Sequence, residues 1–177
     1  MERELLKKKE ILLVDDKLLH HHWIEQTGLR PVLPNARIIH AFSRHDAVRK
    51  IEERQKGLRN KIAELKASLP GKPAEQQEAM REKMARYAEQ VHKPFDAIIS
   101  DLNMETQKAG IRLIEDVRLK KLRVPFLLVS ATNQLEELRR EAEKAGADEV
   151  HFKHEVANPE TVRAIMLRMF AKYAPHK

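Results

Sequence analysis

The chain contains no cysteine, which excludes a disulfide framework, thiolate zinc sites and cysteine nucleophiles. It also lacks any long hydrophobic run. The first ten residues, MERELLKKKE, are charged from the second position and lead into only four consecutive apolar residues, too few for a signal-peptide core or a membrane span. A cytoplasmic, membrane-free protein is the expectation. A cluster of aromatic and basic residues is missing as well. The formal net charge of +7 is spread through a chain whose acidic residues are interleaved almost everywhere, which reads as a solvated basic surface, with no nucleic acid partner expected.

What is present bounds the architecture. Over 177 residues, 42% are hydrophobic and 34% charged, enough for one good core plus exposed helices beyond it. One domain spanning residues 1–177 is expected. Glu10 to Val14, EILLV, opens it as an apolar strand ending in the acid pair Asp15 and Asp16. A helix follows from about Lys17 to Thr27, with Gly28 placed to close it. Within it His20, His21 and His22 point about 100° apart, so they cannot converge on one metal and are read as packing or surface residues. Ala36 to Phe42 gives a second strand, and Ser43 caps a helix beginning near Arg44 with Asp46 in its first turn.

That helix continues past the length of a compact βαβ unit. Ile51, Leu58, Ile62, Leu65 and Leu69 form a heptad seam with Gln55 in its polar slot; Gly57 is a weak point in it that leaves room for a kink. The break Leu69 to Pro73 ends it. Met80, Met84, Tyr87 and Val91 then repeat the seam as far as Pro94. Residues 52–94 thus read as an antiparallel helical hairpin inserted before the third strand, either a structural extension or a docking element for a partner or a second copy of the chain.

Phe95 to Ile99 is apolar on both parities and reads as a buried parallel strand that delivers Asp101 at its end. Gly110 to about Lys121 is helical, with Ile114 and Val117 inward. Pro125 to Val129 is a strand ended by Ser130, Ala131 and Thr132. Leu135, Leu138, Ala142 and Ala145 mark a helix stopped by Gly146. Glu149 to Phe152 is the last strand and ends in Lys153; Asn158, Pro159 and Glu160 start the final helix, which buries Val162, Ile165, Met166, Met169 and Phe170. Strands alternating with helices imply a parallel sheet covered on both faces.

Four of the five strands therefore deliver a polar or charged side chain at the same end. Ligands of open α/β sheets bind at that end. Carboxylates gathered there repel by about 4 kcal/mol per pair at 4 Å and an effective dielectric near 20, so they call for a cation. Oxygen ligands without His or Cys beside them suit Mg²⁺. A hydroxyl and an ammonium across from the ion would clamp a phosphoryl group, leaving a carboxylate as nucleophile.

In Glu10 to Ile51, and again from Phe95 nearly to the C-terminus, these residues resemble the CheY-like receiver domain of bacterial two-component response regulators. The acid pair, the lone acceptor, Ser followed by Ala, and the Lys, in this order and each at a strand end, make the resemblance specific. It implies a flavodoxin-like doubly wound sheet of order 2-1-3-4-5. It implies Asp101 as phosphoacceptor, with Asp15, Asp16, Asp101 and the backbone carbonyl of Asn103 around Mg²⁺. Ser130 and Lys153 are then the groups that turn toward the phosphoryl group. It further implies a histidine kinase or phosphotransfer protein as donor, a downstream protein target, and no turnover of an external substrate.

Three departures stand out. His154 follows Lys153 where the family has a cis proline, and a trans bond is expected there because a cis bond to a non-proline costs about 3 kcal/mol. Val150 stands at the aromatic switch position. Glu105 replaces a common proline in a loop one residue longer. With no effector-sized segment after the fifth helix, a stand-alone receiver signalling through protein contacts is expected. The alternative is a pseudo-receiver adaptor that docks partners, or dimerises, through the hairpin independently of phosphorylation. A phosphatase of the aspartyl-phosphate type would want a second acid where Asn103 stands.

Overall fold

A computed structural model describes residues 6–131 and 135–174, apart from the side chains of residues 135 and 136. Thr132, expected at the end of the fourth strand, and the side chain of Leu135, expected on a helix face, lie outside the described residues. The strands are β1 (Glu10–Val14), β2 (Arg37–Ala41), β3 (Ala97–Asp101), β4 (Phe126–Ser130) and β5 (Glu149–Phe152). They pair in the order β2-β1-β3-β4-β5, all parallel. This is the doubly wound, flavodoxin-like order.

Alternation along the strands feeds two cores. Leu12, Val14, Ile98, Phe126 and Leu128 face one side with residues from α2 (Arg44–Ala67), α4 (Ala109–Leu119) and α5 (Leu135–Ala145). Ile11, Leu13, Ala97, Ile99, Leu127 and Val129 face the other, with Ile24 and Leu29 from the stretch that continues α1 (Leu18–Trp23) and with α6 (Pro159–Lys172). Apolar residues of both parities are needed because both faces are covered. Helix starts follow capping chemistry: Ser43 Oγ accepts from the Asp46 amide at 3.0 Å, and Asn158 Oδ1 accepts from the amides of Glu160 and Thr161 at 2.9 and 3.1 Å, with Pro159 in the first turn.

The first helix corrects the sequence reading. It does not stop at Gly28 but runs on through a π-helical stretch, Ile24–Leu29, and a last turn, Arg30–Val32. Pro31 cannot donate to the carbonyl four residues back and would clash with it, so the ladder widens here. Gly28 serves close approach: a Cβ there would lie 1.9 Å from the carbonyl oxygen of Val156, in the turn Glu155–Ala157 that leads into α6.

Helices α2 and α3 (Ala74–His92) pack along each other. α2 passes through Gly57 as one continuous helix. Ile51, Leu58 and Val91 are buried at its base, where Gln55 Nε2 donates to the Val91 carbonyl at 2.8 Å and so satisfies the polar slot of the seam. Farther out Ile62, Leu65, Leu69, Met80, Met84 and Tyr87 are only half-buried. Gly71, at φ 79°, makes the turn. Among the described residues no helix is long and apolar enough to cross a membrane.

Candidate phosphoacceptor site

Parallel register puts the strand ends on one edge. Val14 pairs with Ala41 and Ser100, Asp101 with Val129, and Ser130 with Phe152. Asp15, Asp16, Asp101, Ser130 and Lys153 therefore all emerge at the carboxyl end of the sheet. Backbone bonds fix the edge: the Asp15 amide donates to the Ala41 carbonyl at 3.1 Å, Leu102 to Val129 at 2.8 Å, and Lys153 to Ser130 at 2.9 Å.

Gly110 sets how close α4 comes to the end of β3. A Cβ there would lie 2.3 Å from the Asp101 carbonyl oxygen and 2.7 Å from Leu128 Cδ1, and its amide donates to the Leu102 carbonyl at 2.9 Å. In the intervening loop Asn103 is exposed and its Oδ1 accepts from the Lys108 amide at 2.9 Å. Glu105 Oε1 accepts from the Arg44 amide at 3.1 Å, so this side chain ties the loop after β3 to the start of α2.

Asp15, Asp16 and Asp101 each offer one carboxylate oxygen within 4.8 Å of the others. Asp15 and Asp101 are buried while Asp16 is exposed. Lys153, itself buried, places Nζ 2.7 Å from Asp15 Oδ2 and 2.9 Å from Asp101 Oδ2. Burial pushes the Asp101 carboxyl above its ordinary pKa; Lys153 pulls against that shift, and Asp15 adds to it. One ammonium among three carboxylates leaves negative charge that an oxygen-bound cation would neutralise. The all-oxygen donor set and the open side at Asp16 fit a hard divalent ion.

The histidine triplet does more than pack. His22 is exposed, but His20 Nδ1 lies 3.1 Å from both oxygens of Asp15 and 2.8 Å from Lys153 Nζ. His21 is buried, and its Nε2 donates to the Asp15 carbonyl at 2.7 Å. Burial lowers its pKa. Its Nδ1 meets His40 Nδ1 at 2.8 Å, and His40 Nε2 reaches Glu25 at 3.0 Å. The expectation that no histidine stands beside the strand-end acids is thus corrected. The missed signal was the short distance in sequence from Asp15 to the first helical turn, which brings two of the three successive histidines back over the strand end.

The departures also have structural outcomes. No cis peptide occurs among the described residues, so the Lys153–His154 bond is trans. The His154 ring stacks on Phe152 with centroids 5.3 Å apart. Val150 is a buried core residue.

No protein-family model matches the chain, and no curated protein matches it in sequence. Solved structures do match in fold. A response regulator receiver domain protein from Clostridium thermocellum aligns at TM-score 0.59 with 13% identity, covering 93% of this chain and 95% of that one. The receiver domain of the histidine kinase CKI1 from Arabidopsis thaliana, solved with Mg²⁺ and BeF3⁻, aligns at TM-score 0.57 with 21% identity and 93% coverage of each chain. A Francisella response regulator receiver domain aligns at 0.54 with 16% identity, covering 91% and 98%. With its strand order and two-sided helical cover, the chain shares the fold of these receiver domains.

Proposed function

We propose that this chain is a phosphorylatable receiver of two-component signalling. It accepts a phosphoryl group on Asp101 from the phosphohistidine of a histidine kinase or phosphotransfer protein. The observation that carries this reading is the Lys153 ammonium bridging Asp101 and Asp15, 2.9 and 2.7 Å away, beside Asp16 at the carboxyl edge. A carboxylate oxygen of Asp101 forms the new O–P bond as the P–N bond of the donor imidazole breaks, and that ring leaves with its electron pair and takes up a proton. Lys153 exchanges its bond to Asp15 for one to a phosphoryl oxygen, and Ser130, one residue beyond the register partner of Asp101, donates its hydroxyl to another.

Asp15, Asp16, Asp101 and the Asn103 carbonyl would hold Mg²⁺, which when bound supplies positive charge against the phosphoryl oxygens. Asn103, with its amide oxygen engaged by Lys108, offers no carboxyl to protonate a leaving group, so an acceptor role is favoured over turnover of an external phosphate ester. The signal leaves through protein contacts in the cytoplasm. With an aliphatic core residue, Val150, at the usual aromatic switch, the hairpin is the favoured output surface.

A second reading, a phosphorylation-independent adaptor docking a target or a second copy, draws on the half-buried outer hairpin. Beryllium fluoride, a tetrahedral phosphoryl mimic, separates the two when added with Mg²⁺. Bound ¹⁹F resonances in wild type that are lost in Asp101→Asn support the receiver. No bound signal in wild type supports the adaptor.

A further inference from the structure

We propose that His20 is a positioning residue for Lys153, holding its ammonium over Asp101 while the other partners of that ammonium change; the inference rests on the receiver reading above. A lysine ammonium has three N–H donors and no acceptor. Three acceptors surround Lys153 Nζ: Asp15 Oδ2 at 2.7 Å, Asp101 Oδ2 at 2.9 Å and His20 Nδ1 at 2.8 Å. We assign one hydrogen to each, which makes His20 Nδ1 an acceptor and puts the ring hydrogen on Nε2, so its approach to Asp15 is a contact without a hydrogen bond. The same ring nitrogen approaches both Asp15 oxygens at 3.1 Å, which places it against the ion pair.

Lys153 is 7% exposed, where an ammonium donor without a partner is costly. The two carboxylates are also the groups that the reaction alters. Asp15 is drawn toward a cation and Asp101 becomes an acyl phosphate. Only the His20 contact stays the same before and after transfer. A four-carbon stem is flexible, so a fixed third acceptor decides whether Nζ remains over the reacting carboxylate.

The backbone around His20 is itself fixed. The His20 amide donates to the Lys17 carbonyl at 3.0 Å, and the Lys17 amide donates to Asp15 Oδ1 at 3.0 Å. The ring is 31% exposed. Replacing it therefore empties no core position.

A double-mutant cycle tests the proposal. Rates of labelling by acetyl phosphate with Mg²⁺ are measured for wild type, His20→Ala, His20→Asn, Lys153→Met and the His20→Ala/Lys153→Met pair. Loss of the acceptor in His20→Ala is expected to slow labelling roughly tenfold, the scale of one hydrogen bond to a charged group. His20→Asn, which keeps a carbonyl acceptor, restores most of the rate. In the Lys153→Met background His20→Ala has no further effect. An equal slowing in both backgrounds, or none in wild type, overturns the proposal.

A second readout does not need phosphorylation. In ¹⁵N spectra of the histidine rings, His20 Nδ1 is expected as the unprotonated acceptor nitrogen and shifts in Lys153→Met. A protonated Nδ1, or one indifferent to that substitution, overturns the contact itself. If wild type takes no label while the ring shift is seen, the receiver reading and the positioning role fall together although the contact stands. If wild type labels and His20→Ala keeps pace, the positioning role alone falls.

Discussion

The guanidinium of Arg44 meets the carboxylate of Asp116 through two bonds, Nε at 2.7 Å and Nη2 at 2.9 Å. This pair joins the first residue of the hairpin helix to the helix that follows the acceptor strand. Because the Arg44 amide also donates to Glu105, the loop after β3 is tied to the start of α2, about two turns before the hairpin base at Ile51. Arg44→Ala and Asp116→Ala are each expected to lower stability by about 1 kcal/mol, the scale of a bidentate surface pair. The double variant should cost little more than either alone. Urea denaturation measures this, and fully additive losses would show that the two side chains act separately.

Gly57 lies in the interior of α2, and a Cβ there meets nothing within 4 Å. Its cost is therefore one of helix propensity alone. Gly57→Ala is expected to raise stability by about 1 kcal/mol, read from the denaturation midpoint. A loss instead would mean that the hairpin uses a bend at this point.

Gly110→Ala should behave oppositely. The added methyl meets the Asp101 carbonyl oxygen at 2.3 Å, backbone that cannot yield as a side chain can. A destabilisation of roughly 1–3 kcal/mol is expected for such overpacking, together with displacement of the acceptor strand end. The paired measurement is the Mg²⁺-dependent rise in melting temperature, which should shrink in this variant.

Asp101→Asn is expected to raise the melting temperature of the metal-free protein at neutral pH. Burial raises the Asp101 pKa against the opposing pull of Lys153, so the folded state binds this proton more readily than the unfolded state does. The favourable contribution is present below the unfolded carboxyl pKa and is lost as pH rises through the folded value, which leaves a net cost at neutrality. Removing the charge relieves that cost. Millimolar Mg²⁺ should then stabilise wild type by mass action and the variant much less. A lower melting temperature for Asp101→Asn without metal would mean that its ion pair with Lys153 outweighs its burial.

Much of the fold was legible because parallel pairing forces a simple rule on the sequence. The central strands β1, β3 and β4, covered on both faces, are almost wholly apolar, so a charged or polar residue after such a run marks the strand end. Asp15, Asp101, Ser130 and Lys153 could be placed on one edge from the sequence alone. Capping chemistry at Ser43 and Asn158 was equally local. Gly28 misled because glycine ends helices by adopting positive φ, whereas here it serves a contact with Val156, more than a hundred residues away in sequence. His20 and His21 were opaque for a related reason. Helical spacing shows that three adjacent histidines diverge, but the angle at which α1 leaves β1 decides which one turns back to Asp15. The role of Glu105 as an acceptor for Arg44 likewise depends on tertiary contact between two loops.

The central claim is tested most directly by intact mass after incubation with acetyl phosphate and Mg²⁺, comparing wild type with Asp101→Asn. The account predicts a gain of one phosphoryl group in wild type alone. An unchanged wild-type mass, with Mg²⁺ shown to bind, would contradict it and make the helical hairpin, rather than Asp101, the seat of function.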